Sequence, residues 1–103
     1  MYAIGNDHTA VALKQIIKAH LEAKGIEVKD FGTDSTTASN YAEKAEEVAN
    51  AVASGECERG ILICGTGIGI SIAANKVNGI RAACCSEPFS AKLSKLHNNS
   101  NIL

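Results

Sequence analysis

Gly60-Ile61-Leu62-Ile63-Cys64-Gly65-Thr66-Gly67-Ile68-Gly69-Ile70, the stretch GILICGTGIGI, joins an unbroken apolar run to a loop with three glycines. An apolar run of this kind is what a strand covered on both faces needs, because neither side meets water. A strand buried twice belongs to a parallel sheet with helices on both sides. Working outward, apolar residues at Ala10, Leu13, Ile16, Ile17 and Leu21 keep the i, i+3, i+4 spacing of an amphipathic helix, and Gly25 stands where it should stop. Tyr2–Gly5 reads as a first strand, and Ile26–Phe31 alternates like a second strand at an edge. A polar loop, 32–40, leads to an alanine-rich helix from Tyr41 to Ala53. After the decisive strand, the pattern predicts a helix over Ile68–Lys76, a turn at Asn78-Gly79 and a fourth strand over Ile80–Cys85. Ser86 is the expected N-cap of a helix running to about Leu96. A loop, His97–Ser100, and a fifth strand beginning at Asn101–Leu103 complete the order.

Strands alternating with helices over short connections imply right-handed crossovers, and so a three-layer α/β/α, Rossmann-like domain with a mainly parallel sheet. The 103 residues allow one domain. Because the chain stops inside its fifth strand, the expectation is that it is truncated, lacking its last strand and helix. A formal charge of −1, without a basic excess, speaks against a nucleic-acid surface. The four aromatics offer little for base stacking. No signal peptide or membrane-length apolar run is present, so no membrane partner is expected. Cys57, Cys64, Cys84 and Cys85 make no CxxC pair and no zinc spacing, which points to reduced thiols in the cytoplasm and to no metal site.

In open α/β sheets, ligands bind beyond the carboxyl ends of the strands. Asn6-Asp7-His8, Cys64–Gly69 and His97 are expected to gather on that one rim. The glycines do not have dinucleotide spacing and do not follow the first strand, and the Gly-Lys-Ser/Thr ending of a P-loop is missing. What is left is a row of backbone amides at a helix start, able to hold a phosphate or a developing oxyanion. Cys64 at its mouth reads either as a small buried hydrophobe or as a thiol made reactive by nearby amide donors. Thr66 is either a loop cap or a site hydroxyl. Asp7 is either a helix cap or a carboxylate for the site. His97 at a helix end either meets the helix dipole or works chemically. His20, Cys57, Cys84 and Cys85 are read as packing or surface residues.

With these residues in view, the chain resembles the type B ribose-5-phosphate isomerases and the related galactose-6-phosphate isomerase subunits. The resemblance rests on GNDH (Gly5–His8), DFGT (Asp30–Thr33) and the long stretch from Gly60 to Asn99. Cys64 and His97 stand where the pentose-phosphate branch has its thiol and histidine. The resemblance implies a single sugar-phosphate isomerase domain over 1–103, interconverting ribose 5-phosphate and ribulose 5-phosphate through a cis-enediolate. It implies Cys64 as the base, with Thr66 and the amides of Gly65, Gly67, Ile68 and Gly69 holding the oxyanion. Asp7 and His97 would handle the sugar hydroxyls, with His97 assisting ring opening. His8 would bind phosphate, and Tyr41 and Asn98 would line the pocket. No cofactor or metal is implied; a homodimer or pair of dimers, with sites completed across the interface, is. Two other readings stay open: a six-carbon substrate such as allose or galactose 6-phosphate, and a truncated module that binds a sugar phosphate without turning it over. The chain departs from the family pattern at Tyr41-Ala42 (usually Tyr-Pro), at His97-Asn98-Asn99 (usually His-Asn-Asp) and at Thr9-Ala10. Its two arginines, Arg59 and Arg81, do not match the family's C-terminal phosphate-binding arginines.

Overall fold

The protein is described by a computed structural model over residues 1–103. Its elements are β1 (Tyr2–Asn6), a 3-10 turn (His8–Ala10), α1 (Val11–Ala23), β2 (Val28–Asp30), α2 (Tyr41–Ala53), β3 (Arg59–Ile63), α3 (Ile68–Asn75) and α4 (Pro88–Asn98). The three strands are parallel in the order β2-β1-β3. The doubly covered run therefore becomes β3, next to the central strand, and the alternating one becomes the edge strand β2.

Strand side chains alternate between faces, so the apolar run divides. Leu62 and Ala3 join α2 and α3 in the larger core, with Val48, Val52, Ile70 and Ala74. Ile63 and Ile4 enter a smaller core under α1, with Ile17, Val28 and Ile61 packed against it. These are the three expected layers. Val48 shows how closely α2 lies on the sheet. A Cβ on either Gly5 or Gly60 would come within 2.8 Å of a Val48 methyl, so both strands are bare where the helix presses down.

The fourth strand is shorter than predicted. Of Ile80–Cys85, only Ala82 makes a bridge, to Ile102, and Ile102 also bridges Gly60, both parallel. Residues 101–103 thus lie between β3 and residues 81–83, held by Gly60 N to Asn101 O (2.9 Å), Leu62 N to Leu103 O (2.7 Å) and Ala83 N to Ile102 O (2.9 Å). A side chain, not a strand, meets the far edge. The Asn75 side chain donates to Ala82 O (2.9 Å) and accepts from Ala82 N (2.8 Å), as a neighbouring strand would.

Two further expectations are corrected. Glu87, not Ser86, caps α4, its carboxylate accepting from Ser90 N at 3.1 Å, with Pro88 opening the helix. The predicted loop at His97–Ser100 is helix in its first half: α4 runs through Asn98 and stops at Asn99, which adopts the left-handed conformation (φ 51°, ψ 47°) tolerated by asparagine. No helix is long and apolar enough to cross a membrane.

Candidate active site

The carboxyl ends of β1 and β3 lie side by side, tied by Asp7 N donating to Ile63 O at 3.1 Å. Cys64 follows β3 directly. Its sulfur is half-buried, packed on one side against the larger core, and accepts the Gly67 amide proton at 3.1 Å. Gly67 itself is left-handed (φ 77°), a backbone state glycine adopts freely, and from there the chain turns into α3. A side chain with a Cβ would pay about 1–2 kcal/mol there. Thr66 is exposed, and its Oγ1 accepts from Ile68 N at 3.2 Å, the capping half of its two readings. The first turn of α3 leaves the Gly69 and Ile70 amides without intrahelical partners, as every helix start does. Thiol and amide donors therefore share one loop.

Neighbouring loops close on it. Thr9 Oγ1 would lie 3.9 Å from a Cβ on Gly65, and the Tyr41 ring would lie 3.1 Å from one on Gly69. Tyr41 and Gly69 line a cavity of about 450 Å³ with Ile72 and Lys76. Asp7 is 8% exposed, and its Oδ1 accepts from Thr9 N (2.9 Å) and Thr9 Oγ1 (2.6 Å), so it caps the 3-10 turn. His8 is half-buried. Its amide donates to Ser39 Oγ (3.0 Å), and its Nδ1 accepts from Ser39 N (3.3 Å).

One expectation about the rim fails. Asp7, His8, Tyr41 and Cys64–Gly69 come together, but His97 and Asn98 do not join them. Helix α4 starts near the glycine loop, where Cys84 Sγ lies 3.7 Å from Thr66 O. It then runs back to the start of β3, and Asn98 O receives Arg81 Nε there. An 11-residue helix and a five-residue strand each span roughly 16 Å, so His97 stands about one sheet height from Cys64 in the same chain. No concavity of the single chain includes Cys64, Asp7, His8 or His97. No group of three His, Cys, Asp or Glu side chains converges as a metal site would.

Sequence reasoning missed two residues that shape this rim, Cys84 and Lys14, and placed Asn6 on it without a role. Cys84 is a loop residue against Thr66, not a strand residue. Asn6, fully buried, donates to Asp7 O (2.9 Å) and Thr33 O (3.0 Å) and accepts from Thr33 N (3.0 Å). Lys14, 1% exposed, pairs with Asp30 and Asp34. Asn6 carried a local signal, a polar residue ending an apolar strand; the other two carried none.

Comparison with known proteins agrees with this architecture. A family profile described as Ribose/Galactose Isomerase matches residues 2–103. Ribose-5-phosphate isomerase B of Escherichia coli K12 is 57% identical over 101 residues, covering 98% of this chain and 68% of that protein. Ribose-5-phosphate isomerase B of Clostridium thermocellum superposes with a TM-score of 0.97 at 53% identity, over 99% of this chain and 69% of the other. The Mycoplasma genitalium enzyme, solved with bound ribulose 5-phosphate, gives 0.94 at 40% identity, over 99% and 68%. The chain thus spans about two thirds of the length of these relatives. With residues 2–103 matched and the sheet, its helices and the glycine loop superposing on solved members, the chain belongs to the ribose/galactose isomerase family.

Proposed function

We propose that this protein is an aldose–ketose isomerase interconverting ribose 5-phosphate and ribulose 5-phosphate, with Cys64 as the proton-transfer base. The observation that carries the reading is the Gly67 amide donating to Cys64 Sγ at 3.1 Å, at the mouth of a loop that runs on to the unpaired Gly69 and Ile70 amides. Sulfur takes up a proton as its thiolate. The proton on C2 of the open-chain aldose passes to sulfur and returns to C1, while the electron pair rests on the C1 oxygen of the enediolate and the C2 hydroxyl proton passes to that oxygen as the C2 carbonyl forms. Thr66 and the amides of Gly65 and Gly69 are the donors for that oxygen, while the Gly67 and Ile68 amides hold Cys64 Sγ and Thr66 Oγ1; losing one such donor commonly costs on the order of 100-fold in rate. Asp7 orients the sugar hydroxyls, His8 takes the phosphate and Tyr41 lines the pocket.

His97 and Asn98 enter this scheme from a second copy of the chain, in a homodimer or pair of dimers, with His97 assisting ring opening. The separation of His97 from Cys64 within one chain supports that arrangement, as does the absence of a cavity around Cys64. Four unpaired thiols support a cytoplasmic location. The test is direct: incubate the chain with ribose 5-phosphate and follow ribulose 5-phosphate. Turnover lost in Cys64→Ala with the fold intact supports the reading. Equal turnover in that variant removes Cys64 from the role.

A further inference from the structure

We infer that Ser39 is a positioning residue that locks His8 in its neutral Nε2–H tautomer, so that His8 meets the substrate phosphate as a hydrogen-bond donor. The inference rests on the phosphate role proposed for His8. Its basis is the reciprocal pair between these two residues, 31 positions apart. The Ser39 amide can only donate, and it donates to His8 Nδ1 at 3.3 Å, so Nδ1 must present its lone pair. The proton of the neutral ring is then on Nε2. In return, Ser39 Oγ accepts the His8 amide at 3.0 Å and holds the backbone that carries the ring.

The lock works because Ser39 is itself fixed from both sides. Upstream, Asp30 Oδ1 accepts Gly32 N (2.8 Å), and Asn6 binds both the N–H and the C=O of Thr33. The buried Lys14 ammonium holds Asp30 at 2.9 Å and pairs with Asp34. Downstream, Asn40 caps α2 by accepting Ala42 N at 3.0 Å. The loop from 30 to 40 is therefore a strap pinned at both ends, and Ser39 delivers its pin to the ring. A donor is also what this rim needs. Arg59 lies at the start of β3 and Arg81 by Asn98, both at the other rim, and Lys14 is committed to its carboxylates. Lys76, in the Tyr41–Gly69 cavity, is the cation on this rim, and His8 would add a neutral N–H donor beside it.

The test uses the intact chain labelled with nitrogen-15 at about pH 8.5. The expected result is a single Nε2–H tautomer for His8, with a scalar coupling across the hydrogen bond between the Ser39 amide nitrogen and His8 Nδ1. Ser39→Ala removes the return bond: the coupling should weaken and KM for ribose 5-phosphate should rise about 3- to 10-fold, the worth of one neutral hydrogen bond, with kcat held within about twofold. Ser39→Thr, which keeps the hydroxyl, should restore both. A protonated Nδ1, no coupling in the wild-type chain, or an unchanged KM in Ser39→Ala overturns the inference. A wild-type chain that shows the coupling but does not isomerise ribose 5-phosphate refutes the proposed function and leaves the lock standing.

Discussion

Gly32→Ala should be among the most damaging single changes in this protein, although it adds one methyl group to a loop. An ideal Cβ at residue 32 falls 1.8 Å from Asn6 Oδ1, 3.0 Å from Asn6 Cγ and 3.1 Å from Asn6 N. The Asn6 side chain must leave, and its own backbone limits where it can go. Leaving gives up the bonds to Thr33 N, Thr33 O and Asp7 O. Asn6 is 0% exposed, so water cannot replace them. Each buried polar group left unpaired costs about 1–3 kcal/mol. Two or more such groups, softened by local relaxation, put the loss at about 3–5 kcal/mol, near the upper end for point mutations. Urea unfolding gives the comparison. Gly25→Ala is the control, because φ is +79° there and nothing lies within 4 Å of its Cβ, so only the backbone penalty of about 1–2 kcal/mol applies. If Gly32→Ala falls within 1 kcal/mol of wild type, the account of Asn6 as the pin of the strap is wrong.

Lys14→Met should cost about 2 kcal/mol, below the 3–5 kcal/mol of fully buried pairs because Asp34 is 75% exposed. Burial opposes the Lys14 charge, but hydrogen bonds to Asp34 and Asp30 outweigh it and raise its pKa above 10.5, while Lys14 holds Asp34 below the usual carboxylate value. The Lys14 contribution is thus complete below its unfolded pKa and lost as pH rises through the folded one; the Asp34 contribution is present above its unfolded pKa and lost as pH falls through the folded one. Melting temperature followed against pH should lose both limbs of this dependence in Lys14→Met, and an unaltered profile would exclude the pair as their source. Mixing inactive Cys64→Ala with inactive His97→Ala should restore about a quarter of wild-type sites, because half of randomly assembled dimers are mixed and each holds one intact site. No recovery after subunit exchange would mean that His97 does not act across an interface. Comparing kcat/KM on ribose 5-phosphate with allose and galactose 6-phosphates should favour the pentose, and a preference for either hexose would favour the six-carbon reading.

How far the molecule could be read from its residues varied with the range of the interactions. The GILIC run, the 3.6-residue spacing before Gly25 and the alanine-rich segment after Asn40 each carry their structure locally, and β3, α1 and α2 follow them. The Ile80–Cys85 run looks like a strand by the same local rule. Its one bridge is to Ile102, 20 positions away and outside any local window around residue 82. For His97 the signal lay in topology: a residue that precedes a strand lies at the rim opposite one that follows a strand. That Asp7 and Thr66 cap helices was among their open readings, and caps are local. The strap was not legible, since it depends on Asn6, Lys14 and Ser39 reaching across 16 to 31 positions.

The central claim is that the sulfur of Cys64 moves the proton between C1 and C2. Solvent exchange measures this without requiring full turnover: the chain is incubated with ribose 5-phosphate in deuterium oxide, and deuterium at C2 is followed by NMR. Wild type should incorporate deuterium, and Cys64→Ala, folded as judged by circular dichroism, should incorporate none above background. Wild-type exchange rates in Cys64→Ala would contradict the account.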